Sequence, residues 1–350
     1  MIHRTQLASD HEISRIIRGG WQMAGGHGDV SPAEAVLDMM AFAEAGITTF
    51  DCADIYTGVE EMIGAFRLRY GAEYGTSALD RIKIHTKFVP DLDILPRITK
   101  ADVERIIDRS LHRLRAEALD LVQFHWWDYD APRWLDTVHW LDELRRAGKI
   151  RHLGGTNFDT SHMLAIVNGG VPLVSMQVQY SLLDRRPENA MVEAAAKHGV
   201  ALLCYGTVAG GFLSDRWLDQ PEPQAPLENR SLVKYKLIID DFGGWDLFQA
   251  LLSVLRRLAD RRNSDIATVA SAAMLAKPGV AAVIVGARNR SHLADNLQIT
   301  EIVLTADETS EIDKVLAAAI PIAGDVYALE RDRSGRHGSI MKYNLSTGTA

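Results

Sequence analysis

The feature that most constrains this chain is an alternation. Short apolar runs recur along it, and the stretches between them carry apolar residues at helical rather than strand spacing. The runs are Arg15-Ile16-Ile17-Arg18, Thr49-Phe50-Asp51, Ile82-Lys83-Ile84-His85, Leu119-Asp120-Leu121-Val122-Gln123-Phe124, Ile150-Arg151-His152-Leu153, Leu173-Val174-Ser175-Met176, Ala201-Leu202-Leu203-Cys204 and Val280-Ala281-Ala282-Val283-Ile284-Val285. The first helix opens at Ser31-Pro32, a cap residue followed by proline at the first helical position. Its expected buried face is Ala35, Leu37, Met40 and Ala41. Further helices are expected near 101–116, 132–147, 186–198, 247–262 and 265–276. Eight strands, mostly followed by helices and without a run of hairpins, fit a closed parallel (β/α)8 TIM barrel better than an open doubly wound sheet.

A barrel of this kind accommodates the length. The chain has 350 residues, and such barrels commonly exceed about 250 as one domain. The reading is a single barrel over residues 1–325 with a polar tail, 326–350, ending in Ser346-Thr347-Gly348-Thr349-Ala350. Three regions interrupt the alternation: a long insertion at 211–245 after strand seven, an extra helix at 306–319 starting from Thr305-Ala306-Asp307-Glu308, and the tail. The loops after strands seven and eight are long, and long loops on this face of a barrel usually cover the site. The formal charge is −8 and there is no basic run, so nothing points to a nucleic-acid partner. Two cysteines, Cys52 and Cys204, cannot make a disulfide framework, and reduced thiols lead us to expect a cytoplasmic protein. No signal-peptide core and no membrane-spanning run is expected. The oligomeric state is not legible.

Polar residues at the C-terminal ends of barrel strands face the site, whereas lower in the barrel they would be buried at a cost. The strand ends here are Asp51-Cys52-Ala53-Asp54-Ile55-Tyr56, Thr86-Lys87, His125-Trp126-Trp127, Thr156-Asn157, Gln177 with Tyr180, and Tyr205. The segment from Gly46 to Tyr56, with Glu60 and Gly64 following, resembles the signature of the aldo-keto reductases. Ile84-His85-Thr86-Lys87 resembles that family's lysine strand and Asp120 to His125 its histidine strand. Gly148-Lys149-Ile150-Arg151 through Gly155-Thr156-Asn157-Phe158 resembles its second signature. Each match is weak alone, but all occur in order and at barrel spacing.

The resemblance implies a catalytic tetrad of Asp51, Tyr56, Lys87 and His125 and a nicotinamide cofactor, NADPH in preference to NADH. It also implies an aldehyde, ketone or alcohol of low molecular weight as substrate. A carbonyl that accepts hydride gains negative charge on oxygen, so a proton donor must stand beside it. A free tyrosine has a pKa of about 10, and an adjacent ammonium lowers it. Lys87, held by Asp51, would do this for Tyr56, and His125 would donate a hydrogen bond to the carbonyl. Thr156, Asn157 and Gln177 match the carboxamide contacts and Tyr205 the stacking aromatic. Gly206, Thr207, Gly210 and Gly211 would let backbone amides reach the pyrophosphate, although Gly206-Thr207-Val208 departs from the family's usual Ser-Pro-Leu. Gly286, Arg288, His292, Asp295 and Asn296 match the adenosine segment, with Arg288 the candidate cation for a 2′-phosphate.

Trp21, Trp126 and Trp127 are expected to line an apolar substrate pocket, though one of the last two could instead pack beneath its loop. His85 and His152 sit mid-strand and are read as internally satisfied. A second reading keeps the barrel and its NADP(H) but makes it a sensory or accessory protein with slow turnover. A third, a metal-dependent hydrolase using Asp51, His85 and His125, is disfavoured because Lys87 would repel a cation. No metal is expected.

Overall fold

The computed structural model describes residues 2–25 and 28–345; Ser346 to Ala350, the end of the expected tail, lie outside the described residues. Eight parallel strands close a barrel: β3 (Ile16–Gly19), β4 (Thr49–Asp51), β5 (Lys83–Phe88), β6 (Leu119–Phe124), β7 (Ile150–Thr156), β8 (Leu173–Gln179), β9 (Ala201–Tyr205) and β10 (Val280–Gly286), with β10 pairing back onto β3. These are the eight apolar runs read from the sequence, and the fold is the expected (β/α)8 TIM barrel. The register sets Asp51 opposite His85, Lys87 opposite Gln123, and Thr156 opposite Gln177.

The floor of the barrel was not anticipated. An antiparallel hairpin, β1 (Arg4–Ala8) and β2 (His11–Ser14), precedes the first barrel strand. Its Ile13 is fully buried against Ile17, Leu121, Leu203 and Ala282 and plugs the lower end. His11 also points inward, with Nε2 3.0 Å from Nε2 of His85, and His152 pairs with Asp10 at 3.1 Å. His85 is thus only half satisfied: its Nδ1 finds no partner among the described residues. Burial pushes His11 down to about 3 and His85 well below its ordinary value, so both rings stay neutral.

The two cap residues read from the sequence, Ser31 and Thr305, each start a helix. In α1 (Pro32–Glu44) the Ser31 side chain accepts from the Glu34 amide. The buried face is Ala35, Val36, Met39, Met40, Phe42 and Ala43, however, and Leu37 is 42% exposed. The expected stripe was turned by about one residue. Helix α2 (Val59–Tyr74) and helix α3 (Lys100–Leu114) touch at Gly64, where an added Cβ would lie 2.1 Å from the Arg113 carbonyl oxygen; only glycine permits this approach. Helices α4 (Trp134–Arg146), α5 (Thr160–Asn168) and α6 (Met191–Lys197) continue the outer ring. The insertion of 211–245 contains α7 (Arg230–Phe242), started by the Asn229 side chain. Then come α8 (Trp245–Asp260), α9 (Ile266–Leu275), α10 (Leu293–Gln298) and α11 (Ala306–Leu316), the last opened by a Thr305–Glu308 capping box. A short helix, α12 (Ala328–Arg331), belongs to the C-terminal segment, which crosses the mouth of the barrel. No helix among the described residues is long and apolar enough to cross a membrane.

Candidate active site

At the C-terminal ends of the strands lies a cavity of about 950 Å³. Its inner end is built on a buried ion pair. Lys87 Nζ lies 2.5 Å from Asp51 Oδ2 and donates to the Cys52 carbonyl at 2.9 Å. The other oxygen of Asp51 accepts from the side-chain amides of Gln123 at 2.9 Å and Gln177 at 2.7 Å. A buried pair repays its desolvation only when its remaining lone pairs are satisfied, and this one meets that condition. Burial pulls the Lys87 ammonium down, but the charges of Asp51 and Tyr56 outweigh it and the net direction is up.

Tyr56 sits at the end of the turn after β4, with Lys87 Nζ 5.2 Å from its ring centre and the Trp21 ring 5.2 Å away on another side. Burial pushes its hydroxyl above the ordinary value, and Lys87 pulls it back through charge and a hydrogen bond. The expected downward shift is therefore present only as Lys87's share, and burial wins the balance.

His125 follows β6. Its Nδ1 lies 3.0 Å from the Thr156 carbonyl oxygen. A carbonyl only accepts, so Nδ1 carries the proton. Burial first, and then the charge of Arg331, push the ring down to about 3, so it stays neutral. Nε2 is then a buried acceptor without a partner among the described residues. The donor role expected of His125 does not match this geometry.

The same cavity gathers most of the other expected residues. Thr156, Asn157, Gln177, Tyr205, Gly206, Thr207, Gly210, Gly211, Gly286, Arg288, His292, Asp295 and Asn296 line it, as do Trp21 and Trp127. Trp126 does not reach its wall. It is wholly buried under the loop, against Phe124, with its indole N–H directed to Ala131. This corrects the expectation for that residue: the chain turns between the two tryptophans, and the second faces the cavity.

The donors and acceptors left over suit a nicotinamide cofactor. Gln177 spends its amide hydrogens on Asp51 and Gln123, leaving Oε1 to accept. Asn157 Oδ1 accepts from the Tyr205 hydroxyl at 2.9 Å, leaving its amide to donate, and Thr156 Oγ1 has no partner among the described residues. A carboxamide needs one acceptor and one or two donors opposite it. At the far end, Asn296 Nδ2 is buried and likewise unpartnered among the described residues, while His292 and Asp295 pair at 3.2 Å. Gly206, at φ +75°, is closed in from behind: a Cβ there would meet the Tyr235 hydroxyl at 2.1 Å. Among the described residues no group of three or more His, Cys, Asp or Glu side chains is arranged to hold a metal ion.

Some lining residues escaped the sequence analysis. Gln22, Arg230, Ser231, Lys234 and Tyr327 all face the cavity. The middle three stand on α7, inside the long insertion. Its capping asparagine and the spacing of Leu232, Tyr235, Ile238, Ile239 and Phe242 were the available signals.

A parallel eight-stranded barrel with a lysine–carboxylate pair beside a tyrosine at its C-terminal face defines a class. The family model for the aldo/keto reductases matches residues 15–317, and the chain belongs to that family. It is 26% identical over 325 residues to the aldo-keto reductase YhdN of Bacillus subtilis, covering 88% of this chain and 92% of that one. Flagellar radial spoke protein 5 of Chlamydomonas reinhardtii is 28% identical over 254 residues, which is 62% of this chain but only 47% of that protein; the chain spans about half its length. Among solved structures, the glycerol dehydrogenase AKR11B4 from Gluconobacter oxydans superposes with a TM-score of 0.74 at 26% identity, covering 93% of this chain and 97% of that one. The family supports oxidation and reduction at carbonyl and alcohol groups.

Proposed function

We propose that the protein transfers hydride between NADPH and a small aldehyde or ketone, with Tyr56 as the proton donor. The observation that carries this reading is the buried Asp51–Lys87 pair with the Lys87 ammonium beside the Tyr56 ring, at the inner end of a cavity that ends on Asn296. A nicotinamide bound there would supply the hydride.

Asp51 holds Lys87 charged and in place. Lys87 stabilises negative charge on the Tyr56 oxygen as its proton moves to the carbonyl oxygen. His125, protonated on Nδ1, takes part as an acceptor, so its natural partner is the alcohol O–H rather than the carbonyl. Thr156, Asn157 and Gln177 would hold the carboxamide, Tyr205 the ring face, and Gly206, Thr207 and Gly211 the pyrophosphate. Asn296 would read the adenine, and Arg288 would meet the 2′-phosphate with Asp295 opposing it. That opposition makes the preference for NADPH modest. Trp21, Trp127 and Tyr327 give the substrate end an apolar wall. Assaying a panel of aldehydes, ketones and alcohols with each cofactor at the nicotinamide absorbance tests the reading; no turnover of any carbonyl refutes it. The likeness to a radial spoke protein favours a second reading, an accessory barrel that binds NADP(H) and turns over slowly. One hydride transferred per protein, without continued turnover, would select it.

A further inference from the structure

We propose that Arg331, from the C-terminal tail, is a positioning residue that locks the loop after His125 and the Asn157 peptide into one geometry. The inference rests on the reductase reading above.

Arg331 ends helix α12 with its guanidinium lying 3.7 Å over the Tyr129 ring. One terminal nitrogen donates to the carbonyls of Trp126 at 2.6 Å and Trp127 at 2.8 Å, and the other to that of Asn157 at 2.8 Å. Trp126 and Trp127 directly follow His125, and Asn157 directly follows Thr156. The guanidinium therefore ties together the two segments that the His125–Thr156 bond also joins. Strand-end carbonyls have no ladder partner and need donors, and a planar fork can serve three of them at once. Asn157 holds a left-handed backbone, φ 60°, a conformation asparagine tolerates better than most residues and which three contacts fix here. Its carbonyl is held by Arg331, its side-chain oxygen by Tyr205, and its amide by the Gln177 carbonyl at 3.0 Å.

The tail is anchored so that it can bear this role. Glu330, fully buried, pairs with Arg186 at 2.9 Å and with Lys234 at 3.4 Å, and Arg186 in turn pairs with Asp184. Beyond Arg331 the tail is held by the buried His337 against Asp241 at 2.7 Å, whereas the Arg333–Asp128 pair at 2.8 Å is exposed and contributes little.

The test compares Arg331→Ala, Arg331→Lys and the tail control Arg333→Ala with wild type. Cofactor affinity is read by quenching of tryptophan fluorescence, kcat on a carbonyl substrate is corrected for folded protein, and the pH profile is recorded. Loss of a charge-assisted hydrogen bond is worth roughly ten- to a hundredfold. Arg331→Ala should thus weaken cofactor binding about tenfold and lower kcat by at least as much, and guanidinium chloride below denaturing concentrations should restore part of it. With the neighbouring charge gone, the acid limb that belongs to His125 should move to higher pH. Arg331→Lys should recover only a part, since an ammonium cannot present the fork, and Arg333→Ala should behave as wild type. Unchanged affinity and kcat per folded molecule would overturn the proposal. So would a drop in Tm with no guanidinium rescue and an unmoved pH profile. A wild type that binds cofactor but reduces no carbonyl refutes the reductase reading instead, and the affinity arm still reports on Arg331.

Discussion

Replacing Lys87 with methionine should separate the electrostatic part of the site from its structural part. The substitution keeps most of the side-chain volume and removes an ammonium bonded to Asp51 at 2.5 Å. Breaking one partner of a buried pair costs about 3–5 kcal/mol. Asp51 keeps two amide donors on its other oxygen, which places the loss near the lower end, about 3 kcal/mol. At about 2 °C per kcal/mol for a large domain, the apparent Tm falls by about 6 °C. The effect on Tyr56 is separable. A unit charge 5.2 Å from the ring centre, at an effective dielectric constant of about 20, is worth about 3 kcal/mol. That energy favours the phenolate, and about 3 kcal/mol corresponds to roughly a hundredfold. Alcohol oxidation, in which Tyr56 must take a proton, should slow about a hundredfold near neutral pH, and its limb should move to higher pH. Adding Asp51→Asn should restore stability by removing the orphaned charge, but not rate. Stopped-flow or steady-state oxidation from pH 6 to 10, alongside thermal melts, measures both. A profile of unchanged shape with a lower Tm would refute the coupling and leave Lys87 as a structural residue.

Other outcomes follow from the same geometry. Tyr56→Phe should abolish carbonyl reduction while leaving cofactor affinity within about twofold, as judged by fluorescence titration; wild-type turnover in that variant would remove Tyr56 from the mechanism. Arg288→Ala should weaken NADPH about tenfold or more and leave NADH nearly unchanged, and equal losses would mean that it does not read the phosphate. Acid should destabilise the barrel floor. His11 is pushed down to about 3 when folded and binds its proton near 6.5 when unfolded, so the stability it confers is complete above about 6.5 and lost as pH falls toward 3. The slope is about 1.4 kcal/mol per pH unit for this group, and urea titrations at pH 7, 5.5 and 4.5 should show a shallower fall for His11→Asn; equal slopes would exclude it as the titrating group. Gly64→Ala should destabilise through its clash with the Arg113 carbonyl, by about 1–3 kcal/mol, without changing kcat of the folded fraction.

Elements whose information is local were legible in the sequence, and those that depend on distant partners were not. Each of the eight strands announces itself as an apolar run because a barrel strand is covered on both faces. Ser31, Thr305 and their partners three residues on announce helix starts because a cap is satisfied within one turn. The β1–β2 hairpin is different: His11-Glu12-Ile13-Ser14 has one apolar residue, and its strand character comes from Ile13 filling the barrel floor, which no window along the chain contains. The stripe on α1 was misplaced for a related reason. Leu37 is apolar, and only the direction of the barrel determines that Val36 and Met39 point inward instead.

The site divides along the same line. Asp51, Tyr56, Lys87 and His125 stand at strand ends in a recognisable order, so residue type and position together mark them as candidates. Their protonation does not follow from type. The proton of His125 is fixed by a carbonyl 31 residues away, and that assignment turns an expected donor into an acceptor. The balance on Tyr56 depends on how deeply it is buried, and burial favours the neutral phenol even with Lys87 beside it. Arg331 lies furthest from sequence reasoning. The nearest carbonyl its guanidinium reaches is 174 residues upstream, and in a polar segment an arginine reads as a solvated surface charge. Only when the tail is seen to carry a buried Glu330 beside Arg186 and Lys234 does the next residue become an internal part of the mouth of the barrel. A tail that were merely a surface appendage would have no reason to bury a carboxylate between two cations; one that holds the loops after His125 and Thr156 in register, as proposed, does.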